Sequence, residues 1–180
     1  MGKTIISFGL SEKDIDRAIR EVEQFKRDFQ EKCNELLRRI ADRLAEEAQN
    51  GFNGAIVDDL TANTGSPRKA SVAVRAENRG DYFAVVADGT DAVWVEFGAG
   101  VYHNGSAGSS PNPFAGTATG VPNPPIAIGT FGENGKKKAW GFYENGELRI
   151  THGTPAAMPM YNAVQTVSRE VLDIAREVFA

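Results

Sequence analysis

The sequence predicts an α+β fold: a long N-terminal helix and a C-terminal helix packed on a mostly antiparallel sheet of about 4–5 strands. Three observations carry that expectation. Residues 11–49 hold apolar side chains at helical spacing with no Pro or Gly among them. Residues 70–97, the expected sheet core, alternate like one-sided strands, and 139–152 place Asn145-Gly146 between two aromatic and aliphatic runs. Residues 157–179 carry a second apolar stripe at steps of three and four.

Composition bounds what such a chain does. At 180 residues, 1–180 is expected to form a single domain with its own core. A net charge of −4 argues against a general nucleic-acid binder, which carries a basic face. One cysteine, Cys33, excludes an internal disulfide. The first residues, MGKTIISFGL, have an apolar run too short for a signal peptide or a membrane span, so neither export nor a membrane partner is expected. Ile6 also breaks the N-myristoylation pattern.

In chain order, Thr4–Phe8 reads as an edge strand ended by Gly9. Ser11 opens the first helix, with Asp14 three residues on as a weaker capping box. Its stripe runs from Ile15, Ile19, Val22, Phe25 and Phe29 through Cys33, Leu36, Leu37, Ile40 and Leu44 to Ala48. Asn50-Gly51 is the expected stop. A helix of that length is about 58 Å long, more than one small domain covers, so part of the stripe is expected to pack on another subunit. The opposite face mixes charges, including Glu35 and Arg39 at i,i+4, and reads as solvated.

Residues 51–69 read as a polar connector, a loop with room for a short strand. Val72, Val74 and Ala76 alternate with Ser71, Ala73 and Arg75, and Asn78-Arg79-Gly80-Asp81 turns the chain into Tyr82–Ala87. Val93–Phe97 is too short to separate a strand from a helical turn. Residues 98–135 are rich in Gly, Pro, Ser and Asn, a long loop of the functional or disordered kind. Lys136–Lys138 reads as a solvated turn before the Trp140 hairpin. Pro155 ends the second hairpin strand, and Pro159 suits the first turn of the last helix.

No catalytic pattern assembles. His103 and His152 lie far apart, without the paired spacing of zinc ligands. Cys33 lies on the apolar stripe, where a structural thiol is the expected reading. Gly98-x-Gly100 lacks the third Gly of a dinucleotide loop; His103 stands there. Gly105-Ser106-Ala107-Gly108 lacks the spacing of a nucleophile elbow. Adjacent carboxylates Asp58 and Asp59 point different ways. No catalytic, cofactor or metal residue is therefore assigned.

Two segments carry a resemblance: Trp94-Val95-Glu96-Phe97-Gly98, and Gly153-Thr154-Pro155-Ala156-Ala157-Met158-Pro159-Met160-Tyr161-Asn162-Ala163. Together they resemble the HK97 gp10-like family of tailed-phage tail components, whose members pair a V-E-[FY]-G segment with a later P-A-x-P-F-M-x-x-A segment. The Trp140-Gly141-Phe142-Tyr143 hairpin resembles a larger subgroup of that family. Ala99 stands where members usually have Thr, and Met160 where they usually have Phe.

The resemblance implies a tail-completion or neck component at the head–tail junction of a virion, made in the bacterial host cytoplasm. It implies a homo-oligomeric ring, hexamer or dodecamer, that contacts other neck and tail proteins and meets DNA only as passing genome. It implies neither catalysis nor a cofactor. Trp94, Glu96, Phe97, Gly98, Trp140, Gly153, Pro155, Ala156, Pro159 and Met160 are then the motif and interface candidates.

Glu96 is unusual in an apolar run, since a buried carboxylate needs a partner. The expectation is that it accepts backbone N–H groups near Pro155–Pro159, where a helix dipole favours an anion; the alternative is an exposed Glu on a one-sided strand. The loop 99–135 is the candidate for ordering against a neighbouring tail or neck protein. The competing functional reading is a small hydrolase or nucleotide-binding domain using the Gly98–Gly105 loop and His103. A third is a binding module, such as an inhibitor of a host protein.

Overall fold

The computed structural model describes residues 9, 11–59, 66–98, 140–151 and 153–180. Helix α1 spans Glu12–Gly54, followed by β1 (Ile56–Asp59), β2 (Ser66–Lys69), β3 (Ala73–Asn78) and β4 (Phe83–Asp88). Helix α2 spans Ala92–Phe97; β5 (Trp140–Glu144), β6 (Glu147–Thr151) and helix α3 (Pro159–Phe179) follow among the described residues. The α+β expectation holds at this level. The expected strand at Thr4–Phe8, the loop 99–135, Lys136–Lys138 and both histidines lie outside the described residues.

Helix α1 starts where Ser11 predicts, with the Ser11 hydroxyl accepting the Asp14 N–H at 3.2 Å and donating to the Asp14 carboxylate at 2.7 Å. It does not stop at Asn50-Gly51 but continues to Gly54. Packing explains the overrun: Phe52, in that last turn, is 1% exposed and is the largest side chain of the core. The core gathers Phe52, Ala55, Val57, Ala92 and Val95, with Val72, Val74, Ala87 and Met160 against it. The charged face of α1 is solvated as expected, and Glu35 takes Arg39 at 2.7 Å and Arg38 at 2.9 Å. Those hydrogen bonds hold the Glu35 carboxyl at about 2.

Among the described residues the strands form three separate antiparallel pairs, β1–β2, β3–β4 and β5–β6, and not the single sheet of four or five strands that the pattern predicts. Two features keep the first two pairs apart. Pro67 in β2 has no N–H to offer a further strand. On β3, the Val74 N–H donates to Gln49 Oε1 at 2.8 Å, and the Val72 carbonyl accepts Gln49 Nε2 at 3.1 Å. A side chain of α1 thus occupies the ladder positions that another strand would use. Within β3–β4 the alternation is as read: Val72, Val74 and Ala76 turn inward, while Ser71, Ala73 and Arg75 are exposed. The Asn145-Gly146 hairpin also forms as read, with φ of 52° and 83° at its two turn residues.

Val93–Phe97 resolves to a helical turn, the short α2. Helix α3 begins at Pro159, two residues later than expected, because Met158 sits in the left-handed region at φ 55°. It packs chiefly along α1, antiparallel, and not on a sheet face. Ala41, Ala45, Ala48, Ala163 and Val167 are all buried, and small side chains of this kind let two backbones approach closely. Arg43 bridges to Glu170 at 2.9 Å and Arg39 to Glu177 at 3.4 Å. Phe179 closes the seam against Phe29, ring centroids 5.9 Å apart. With 43 residues against 21, α1 runs about 64 Å and α3 about 31 Å, so the N-terminal part of α1 projects beyond its partner.

Two glycines of α1 are expected to respond oppositely to alanine. A Cβ at Gly51 meets the Pro159 ring at 2.7 Å, whereas one at Gly54 meets nothing within 4 Å. Gly51→Ala is expected to lose about 1–2 kcal/mol in urea denaturation, overpacking outweighing helix propensity. Gly54→Ala is expected to gain about 0.5–1 kcal/mol.

Candidate functional site

Helix α3 lacks the chemistry to cap itself. Its N-cap residue is Met158, whose side chain makes no capping hydrogen bond. A helix start leaves its first N–H groups without intrahelical acceptors, and each must find one elsewhere. Pro159 at the first position removes one donor outright. Met160 N–H donates to Glu96 Oε2 at 2.8 Å and Tyr161 N–H to Glu96 Oε1 at 3.0 Å. From Asn162 onward the helix serves itself, its N–H donating to the Met158 carbonyl at 2.9 Å.

The contact runs both ways. The Val95 carbonyl, near the C-terminal end of α2, accepts the Ala157 N–H at 2.9 Å and the Met158 N–H at 3.3 Å. Residue 95 thus serves the lead-in to α3, and residue 96 serves its first turn. Glu96 is 8% exposed, and its negative charge lies at the positive end of the α3 dipole. Of the two readings of Glu96, the accepting carboxylate is the one the structure has. The donors are Met160 and Tyr161, just past the expected Pro155–Pro159, because Pro159 has no hydrogen to give.

The junction brings the two resembled segments together. Trp94 accepts the Gly98 N–H on its carbonyl at 2.7 Å, and Gly98 leaves α2 at φ 79°, a conformation that favours glycine. Phe97 and Met160 line an open apolar cleft of about 350 Å³, with Phe52, Val93, Tyr161 and Val164. Pro159 is buried against α1, Ala156 is half-buried and Pro155 is exposed. Gly153 is buried at φ 80°, its N–H donating to Thr151 Oγ1 at 2.9 Å. Thr151 in turn donates to Asp58 Oδ2 at 2.8 Å, which ties β6 to β1. The Trp140 backbone pairs with Thr151 at the open end of the β5–β6 hairpin.

Sequence reasoning missed a second anchor. Asp91, 5% exposed, accepts Arg68 at 2.7 and 2.9 Å and the Ser71 N–H at 2.8 Å, holding β2 to the start of α2. No local pattern marks it, since Arg68 and Asp91 are 23 residues apart. The Arg68 guanidinium, helped by Ser71, holds the Asp91 carboxyl below its ordinary value against the opposing pull of burial.

Among the described residues no group of three or more His, Cys, Asp and Glu is placed to hold a metal ion. Cys33 is half-buried on the stripe of α1. The Gly98–Gly105 loop and His103 lie outside the described residues beyond Gly98. No family model, curated protein or solved structure matches the chain.

Two outcomes follow. Removing the cap, Glu96→Ala is expected to cost about 2–3 kcal/mol in urea denaturation, and Glu96→Gln, which keeps one acceptor oxygen but no charge, about half as much. Asp91 has a folded value depressed below its unfolded 3.8, so its contribution is complete above 3.8 and is lost as pH falls through the folded value. Urea midpoints taken from pH 7 downward are expected to fall less steeply below 3.8 in Asp91→Asn than in the parent chain.

Proposed function

We propose that this chain is a structural protein of a tailed-phage virion: a tail-completion or neck component that assembles as a ring and joins tail to capsid. The observation that carries the reading is the apolar stripe of α1. Ile15, Ile19, Val22 and Phe25 are each 41–53% exposed along the part of the helix beyond Phe29, where Phe179 of α3 makes its last ring contact. A row of four large apolar side chains in water is what a chain carries when its partner belongs to an assembly.

The Glu96 junction supports the same reading. It joins, in one hydrogen-bonded unit, the two segments through which the chain resembles the HK97 gp10-like tail components. That unit builds a docking feature from backbone groups and apolar side chains. The partners in this reading are copies of the chain, as a hexamer or dodecamer, and other neck and tail proteins. A net charge of −4 lets such a ring surround passing DNA without holding it. Among the described residues no helix is long and apolar enough to cross a membrane. The protein is made in the bacterial host cytoplasm and works in the virion, by shape and without turnover or a cofactor.

Electron microscopy of the purified chain, alone and mixed with tails, tests the proposal. Rings at the tail end that faces the capsid are expected, and deleting residues 105–124 is expected to block tail joining. A chain that never associates with itself or with tails, or one that turns over a small molecule and stops on His103→Ala, would contradict it.

A further inference from the structure

Independently of the assembly reading above, we propose that α2 is a strap. It carries the state of the Asp91–Arg68 anchor to the cap of α3, so that releasing one end loosens the other. One six-residue helix has a buried carboxylate at each end, and each grips a different part of the fold. Asp91, just before the helix, takes Arg68 of β2 and the Ser71 N–H. Glu96, in its last turn, takes the Met160 and Tyr161 N–H groups of α3.

The Asp91 side chain shows which task prevails. Asp at an N-cap position ordinarily accepts an N–H of its own helix. Here it makes no such bond and turns to β2 instead. A local cap is given up for a long-range anchor. Helix α2 can do this only because its position is set from outside. A single turn does not hold itself, since nucleation costs more than a few hydrogen bonds return. Its own bonds are few: Ala92 N–H to the Gly89 carbonyl at 3.1 Å, Val95 N–H to the Asp91 carbonyl at 2.9 Å and Gly98 N–H to the Trp94 carbonyl at 2.7 Å.

The middle of α2 is packed, and its two flanks are glycine. Val95 is fully buried with Phe52 in the core, and close-packed side chains shift as a body more readily than they deform. Asp91 and Glu96 are about 8 Å apart along the axis, so a tilt or slide of α2 displaces both carboxylates together. Gly89 precedes the helix at φ 145° and Gly98 leaves it at φ 79°. A Cβ at Gly89 would meet the Ser71 carbonyl at 2.4 Å, so the Ser71 backbone is held between Gly89 and the Asp91 carboxylate. The same movement alters the apolar cleft, because Val93 and Phe97 of α2 line it together with Tyr161 and Val164 of α3.

Hydrogen exchange in the full chain, followed amide by amide by NMR, tests the strap in two variants. Asp91→Asn removes the charge of the anchor, and Arg68→Lys, the milder change, keeps a charge but loses the two-pronged contact. In both, the Met160 and Tyr161 amides are expected to exchange about tenfold faster or more than in the parent, while amides in the middle of α3 keep their parent rates. Coupling is reciprocal, so Glu96→Gln is expected to speed exchange of the Ser71 amide. Met160 and Tyr161 exchanging at parent rates in a folded Arg68→Lys chain would overturn the strap. An acceleration that runs equally through all of α3 would overturn it too, since that is the mark of a fold loosened as a whole.

Discussion

The structure depends on one carboxylate doing the work of a helix cap from another element. Helix α3 begins after a left-handed Met158 and at a Pro, with no hydroxyl or amide side chain to accept its first N–H groups. Glu96 accepts two of them, and the Val95 carbonyl accepts two more from the residues just before. Because those acceptors belong to α2, the start of α3 is fixed in space and not only in conformation. That position sets where Pro159 meets Gly51, where Met160 meets the core, and hence the line along which α3 lies on α1. A charge removed from solvent dipoles without a partner would be costly; here two backbone donors and a helix terminus compensate it.

Much of this was legible in the residues. Ser11 and Asp14 announced the start of α1, Asn145-Gly146 the hairpin, and the lone Glu in an apolar run the clamp. Each of those signals is local, or needs only a missing partner to be noticed. What the residues did not show is long-range. Nothing near Asp91 points to Arg68, and nothing near Gln49 says that it will occupy the edge of β3. That second interaction is why the strands read as one sheet but fold as three pairs: alternation fixes which face of a strand is buried, not which strand lies beside it. The end of α1 was misjudged for a related reason. Asn50-Gly51 is a sound stop by propensity, but burial of Phe52 and the close approach of Pro159 to Gly51 reward one more turn.

The length of α1 connects fold to function. Its C-terminal half has everything a packed helix needs: small residues against α3, ion pairs across the seam and a core at its end. Its N-terminal part repeats the same apolar pattern, and from Ile15 to Phe25 the large side chains are about half exposed. A chain that needed only to fold would gain nothing from those exposed Phe and Ile side chains, and would be less soluble for them. Under the assembly role proposed above, such a surface is where a neighbour would pack. The clamp fixes the α2–α3 corner, and the stripe leaves apolar side chains exposed on the same chain.

Hydrogen exchange at the Met160 and Tyr161 amides tests the central claim most directly. First-turn amides of a helix ordinarily exchange quickly, because no carbonyl of their own helix holds them. If Glu96 holds them, both amides exchange as slowly as those in the middle of α3, and they lose that protection in Glu96→Ala while the middle of the helix keeps its own. Rapid exchange at both positions in the parent chain would contradict the account.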